Sequence, residues 1–238
     1  MPLWVLADPH GGGDEVADRA LLALLARAQA RRADLLILGD LFLAWLGPSR
    51  FHTPFQAEVV AALVELRRRG GRIRFVVGNR DYLTEDAPPA FDEIHHGEVK
   101  LDVGGVPTWV LHGDLAQPKD QAYRTWHQLS RSAPVTYALR RAPGAWGRGL
   151  AGRIEAQLRN TNQAYKSGVL PLEVVQAIGQ RAQAAGCARA LVGHFHHDRV
   201  VDVPDGAPVI LAPGWCEHQR VLVAEPEGKL RSWALARL

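Results

Sequence analysis

Five short apolar runs in this chain each end in residues suited to binding metal ions or phosphate. Leu3 to Ala7 runs into Asp8-Pro9-His10, Leu35 to Leu38 into Gly39-Asp40, and Arg72 to Val77 into Gly78-Asn79-Arg80-Asp81. Thr108 to Leu111 runs into His112-Gly113-Asp114, and Ala188 to Val192 into Gly193-His194-Phe195-His196. Each run reads as a buried strand. Residues that end neighbouring strands of one sheet emerge on the same edge, so five loops can converge on one point.

What converges is Asp8, His10, Asp40, Asn79, His112, His194 and His196, a mixed oxygen and nitrogen donor set. It is rich enough for two divalent metals, with one carboxylate left to bridge them. Two adjacent metals suit in-line displacement at phosphorus, because each can steady one of the oxygens whose charge changes. Water activated by the two cations is the expected attacking group. Any one motif is weak evidence, since Gly-Asp after a strand is usually a turn and a buried histidine is usually a hydrogen-bonded core residue. The series in this order carries the reading.

Composition sets bounds on the rest. The chain has 238 residues, 47% of them hydrophobic, enough for one large domain or a domain with a decoration. Leu3 to Ala7 is too short for a signal peptide or a membrane span. Cys187 and Cys216 lack Cys-x-x-Cys spacing, which points to buried thiols in a reducing cytoplasm rather than a disulfide framework. Basic residues exceed acidic ones by only three, and no nucleic-acid-binding motif accompanies them. A monomer that binds no nucleic acid is expected.

The first half alternates strand and helix, with apolar stripes over Val16 to Arg32 and Phe55 to Arg69. Val103-Gly104-Gly105-Val106 signals a hairpin. After His194 come short strands at Arg199 to Val203, Val209 to Leu211, Arg220 to Ala224 and Leu230 to Ala234. This pattern predicts an α/β fold with two packed mixed β-sheets flanked by helices. The stretch between is too long for a simple crossover. Gln121 to Arg131, Ala151 to Lys166 and Leu172 to Ala185 read as helices broken by Pro134, Pro143 and Gly144. We expect a core of residues 1–114 and 188–238 with a helical cap insertion of 115–187. The cap interleaves arginines such as Arg124, Arg131, Arg140 and Arg153 with Tyr123, Trp126, Tyr137 and Trp146. That is either a solvated face or a surface for anionic headgroups or a phosphorylated amphiphile.

The five motifs resemble the calcineurin-like metallophosphoesterase superfamily over essentially the whole chain. Three details narrow the resemblance: Arg80-Asp81 after Asn79, Leu41-Phe42 and Trp45 after Asp40, and Gly214-Trp215 after the last ligand loop. With the helical insertion, these look like the UDP-2,3-diacylglucosamine pyrophosphohydrolase family of the lipid A pathway. That resemblance implies a manganese-dependent enzyme at the cytosolic face of the inner membrane, a peripheral membrane contact, and release of UMP and a diacylated glucosamine 1-phosphate from a nucleotide-linked glycolipid. The donor set also accommodates iron or zinc.

Carried over by motif, Asp8, His10, Asp40 and His196 would hold one metal. Asp40, Asn79, His112 and His194 would hold the other, with Asp40 bridging. Asp40, Asn79, Arg80 and His194 would be catalytic. Substrate would meet Asn79, Arg80 and His194, together with Asp120, Tyr123 and Lys166 in the cap. Leu43 replaces the usual Glu, His197 a common Arg, and Pro9 an apolar residue. None of these is a metal ligand.

Arg80 has a chemical rationale of its own. An alkoxide leaving group needs a proton from a general acid, whereas a leaving phosphate is already stable as an anion. A fixed guanidinium that binds developing charge is then the better device. The simpler reading pairs Arg80 with Asp81 to fix the loop. At the level of function, the alternatives are a metallophosphoesterase for another nucleotide, phosphodiester or phosphoprotein, and a non-catalytic scaffold.

Overall fold

The computed structural model describes residues 1–117, 120–144, 149 and 172–238. The chain opens with strand β1 (Leu3–Leu6), helix α1 (Glu15–Arg31), β2 (Asp34–Ile37), β3 (Trp45–Leu46), α2 (Pro54–Arg68), β4 (Ile73–Val76) and β5 (Asp81–Tyr82). It continues through β6 (Glu93–His95), β7 (Val99–Asp102), β8 (Pro107–Leu111), α3 (Gln121–Ser130) and α4 (Ala133–Arg141). The last described part holds α5 (Leu172–Ala184), β9 (Arg189–Val192), β10 (Arg199–Val201), β11 (Val209–Leu211), α6 (Trp215–His218), β12 (Arg220–Ala224) and β13 (Leu230–Ala234).

Two mixed sheets form, as expected. One has the order β13-β12-β1-β2-β4-β6 and the other β10-β11-β9-β8-β7. Strands β1, β2, β4 and β6 run parallel, as do β8, β9 and β11. The motif-bearing strands therefore divide three and two between the sheets rather than sharing one.

Alternation along the strands sorts the core into layers. Leu3, Val5, Leu36, Leu38 and Val76 meet Val110, Leu191 and Ile210 between the sheets. Trp4, Leu6, Leu35, Ile37 and Phe75 face the other way, onto Leu21, Leu24 and Leu25 of α1 and Val59 and Leu63 of α2. On the far side, Val174, Val175, Ile178 and Ala182 of α5 cover Ala190, Val192, Val209 and Leu211. The order of layers is helix, sheet, sheet, helix.

Local signals explain the helix starts. Asp14 caps α1 by accepting from the amides of Val16 and Ala17, and Thr53 with Gln56 forms a capping box on α2. Pro134, expected only to break helix, stands in the first turn of α4. Its missing N–H has no intrahelical partner to lose there. The expected helix over Ala151 to Lys166 lies outside the described residues, as do Trp146, Arg148, Leu150, Arg153, Leu158 and Arg159. Among the described residues no helix is long and apolar enough to cross a membrane.

Candidate metal centre

Parallel strands deliver their following loops to a common edge, and backbone hydrogen bonds then lace those loops together. The amide of His10 donates to Asp40 O at 3.0 Å and that of Gly11 to Leu41 O at 3.1 Å. Across the two sheets, the amide of His194 donates to Asp8 Oδ2 at 2.8 Å. His112 donates from Nδ1 to Leu38 O at 2.8 Å, the pairing that makes Nε2 the nitrogen free to bind metal once its proton is displaced.

The backbone is held in an unusual state at these positions. Asp8, His10, Asp40, His194 and His196 have φ of +49°, +47°, +51°, +61° and +55°. Non-glycine residues rarely adopt this left-handed region, and such strain gathers at functional sites. Two glycines permit the close approach. A Cβ on Gly78 would lie 2.4 Å from Asp40 Oδ1, and one on Gly214 would lie 2.7 Å from His196 Cγ.

All seven expected donors come together, around Asp40. Its Oδ2 stands 3.9 Å from His10 Nδ1, while its Oδ1 stands 3.7 Å from His112 Nε2. Each oxygen of this buried carboxylate thus looks toward a different group of donors. On one side His196 Nε2 is 3.6 Å from Asp8 Oδ1 and 3.4 Å from His10 Nε2. On the other, His112 Nε2 is 3.1 Å from Asn79 Oδ1 and its ring centroid 5.1 Å from that of His194. Donor atoms of Asp8, His10 and Asp40 lie within 4.8 Å of one another. Asp8 Oδ1 and His10 Nδ1, each able to offer a lone pair to a cation, are buried without a hydrogen-bond partner. Orphaned donors of this kind are costly unless something else satisfies them. Divalent cations fit the set.

Charge in the pocket supports that fit. Burial pushes His10 and His194 below the usual imidazole range, His194 to about 4. Burial also opposes charge on His112 and His196, but the neighbouring carboxylates outweigh it. Asp40 and Asp8 raise His112 to about 9, and Asp8 raises His196 to about 12. Asp8 is held well below the usual carboxylate range, because the surrounding imidazoles overcome its burial. Without metal, protons on two imidazoles supply the positive charge that the carboxylates call for.

Arg80 is buried, and it does not pair with Asp81. Its amide donates to Asp40 Oδ1 at 2.9 Å, its Nη1 to Leu43 O at 2.8 Å, and its Nε stands 3.3 Å from Asp40 Oδ2. Asp81 instead accepts from the amides of Asp40, Gly78 and Leu41, tying two ligand loops together. Burial and the nearby Asp40 raise its pKa to about 7.

The expected cap residues divide. Asp120 caps α3, accepting from the amide of Tyr123 at 2.9 Å. The Tyr123 hydroxyl donates to Asp114 Oδ2 at 2.5 Å. Lys166 lies outside the described residues. Among the apolar side chains of α3 and α4, Leu139 is buried among Leu46, Phe51, Tyr82 and Leu83, with Val135 packed on the same cluster. They fasten α4 to the core. Trp126 is half-buried and Leu129 exposed.

Three contributors escape the sequence reading. Arg131 donates to Gly78 O at 2.8 Å and stacks on Tyr82, joining α3 to the Asn79 loop. Glu217 Oε1 stands 3.1 Å from His196 Nδ1. Cys216 shares a cluster with His10 and His196 in which donor atoms lie within 4.8 Å of one another. The only sequence signal for the last two is their place directly after Gly214-Trp215.

Comparison with known proteins agrees with this geometry. The calcineurin-like phosphoesterase family matches residues 1–198. A UDP-2,3-diacylglucosamine hydrolase of Ralstonia nicotianae is 29% identical over 244 residues, covering 95% of this chain and 87% of that protein. Proteins of the same name from Serratia proteamaculans and Stutzerimonas stutzeri are 31% and 30% identical. They cover 82% and 83% of this chain, and 82% and 85% of their own lengths.

Proposed function

The chain belongs to the calcineurin-like phosphoesterase family and is a metal-dependent phosphohydrolase, and from that premise we propose that it hydrolyses the diphosphate of UDP-2,3-diacylglucosamine. The products are UMP and 2,3-diacylglucosamine 1-phosphate. Two divalent ions, manganese by the resemblance, would be held by Asp8, His10, Asp40 and His196 and by Asp40, Asn79, His112 and His194. When bound, they supply Lewis-acid charge and lower the pKa of water toward neutrality.

The observation that carries the reading is the placement of Arg80. Its guanidinium is buried against Asp40, in the loop that carries Asn79. A cation fixed there meets charge that develops on a leaving phosphate, which needs no proton. Asn79 orients the same diphosphate through its side-chain amide. The Asp81 carboxylate keeps both loops in register by accepting from the backbone amides of Asp40, Leu41 and Gly78. The lipid part of the substrate is supported by the relatives' shared name and coverage, and with it goes our proposal of a peripheral monomer acting at the cytosolic face of a membrane.

The test is product analysis with UDP-2,3-diacylglucosamine in oxygen-18 water. Label is expected in UMP; label in the sugar phosphate would place attack at the other phosphorus, and no turnover would refute the substrate. Arg80→Ala should lower kcat by roughly 10²–10³-fold, more than it raises KM, since its contact strengthens in the transition state.

A further inference from the structure

The short helix α6 is anchored to the first ligand loop through its backbone. The amide of Trp215 donates to Ala7 O at 2.8 Å and that of Cys216 to Asp8 O at 3.5 Å. Gly214 lets the His196 ring lie against this backbone. The result sets the half-buried Cys216 thiol beside His10 and His196, with donor atoms of all three within 4.8 Å of one another. Next to them, Asp8 Oδ1 is fully buried and without a hydrogen-bond partner, 3.6 Å from His196 Nε2. Two imidazoles and a sulfur therefore gather in one cluster, with the Asp8 carboxylate beside His196.

We infer that Cys216 is an additional ligand at the metal position framed by Asp8, His10 and His196, and that its sulfur turns this position toward zinc, iron or cobalt and away from manganese. The inference rests on the two-metal reading above. A thiolate is a soft donor that suits zinc and other later transition metals, while manganese favours carboxylate, carbonyl and water. Binding is a simple exchange: the S–H bond breaks, its proton leaves to solvent, and the sulfur lone pair forms the bond to the metal. No electron changes hands. The second position, framed by Asn79, His112 and His194, has no sulfur and keeps its preference for harder ions.

Cobalt(II) reports on such a ligand directly. Metal-free protein titrated with cobalt under anaerobic conditions should develop a near-ultraviolet sulfur-to-cobalt charge-transfer band. Cys216→Ser should lose that band and keep the visible ligand-field bands, while Cys187→Ser should keep both. In competition followed by the electron paramagnetic resonance of released manganese, the preference for zinc should fall by about tenfold or more in Cys216→Ser. Wild-type protein that shows ligand-field bands without the charge-transfer band would overturn the thiolate and leave the two-metal centre standing. Cobalt bound by neither protein would bring down both. Should Cys216→Ser fail to fold, alkylation of wild type decides: metal loading should protect Cys216, and equal labelling with and without metal would refute its ligation.

Discussion

Asp40 sits where five constraints meet. Its amide is held by Asp81, its Oδ1 accepts from the Arg80 amide, its two oxygens face different histidines, and its backbone is left-handed at φ +51°. Asp40→Ala should therefore abolish activity and weaken both metal positions, which elemental analysis of the dialysed variant reads. Full activity, or unchanged metal content, would end the bridging assignment. The same pocket makes metal affinity depend on pH. Metal binds unprotonated imidazole, and in the metal-free centre His112 and His196 titrate at about 9 and about 12. Both carry protons at neutral pH that metal must displace, so affinity rises steeply with pH up to the His112 value, more gently from there toward the His196 value, and falls as pH drops. Calorimetry in buffers of different ionisation enthalpy should find at least two protons released per centre filled at neutral pH. No release would show that the imidazoles stand unprotonated beforehand.

At the scale of elements, one arginine links a helix to a ligand loop. Arg131, at the end of α3, donates to Gly78 O and Asp81 O and stacks 4.4 Å from the Tyr82 ring centroid. Arg131→Ala should destabilise the fold by about 1–2 kcal/mol and speed amide exchange in α3 above that of α1. Uniform exchange in both helices would assign Arg131 no docking role. The strands and helices that the sequence made legible share one property: burial on a regular face. The run Leu35 to Leu38 and the stripe Val59, Val60, Leu63 and Leu66 are hydrophobic because a sheet and its covering helices must exclude water there. The two-residue strands β3 and β5 pair only because Asp40 and Asn79 loops are already side by side, and no local period marks them. Donor residues were readable for the first reason, each standing just past a buried run. Cys216 and Arg131 were not, since a hydrogen bond from the Trp215 amide to Ala7 O and a stacked Tyr82 are products of the folded chain.

At the scale of the whole molecule, the core accounts for hydrolysis and leaves substrate length to residues beyond the sheets. Leu139 and Val135 are spent on holding α4 to Phe51 and Tyr82, which leaves Leu129, 59% exposed, as the large apolar group that α3 offers to a ligand. If acyl chains bind there, each buried CH₂ contributes about 0.8 kcal/mol, close to fourfold in kcat/KM. Turnover should then climb with acyl length across a series of UDP-2,3-diacylglucosamines and fall steeply for UDP-N-acetylglucosamine. Leu129→Gln should flatten that slope while leaving the non-acylated substrate unchanged, because Leu129 is exposed whereas the donors Asp8, Asp40, Asn79 and His112 are buried. Equal kcat/KM for acylated and non-acylated substrates in the wild-type protein would refute the glycolipid reading. The metal centre, built from loops of the two sheets, would survive that result, since nothing in its geometry depends on the acyl chains.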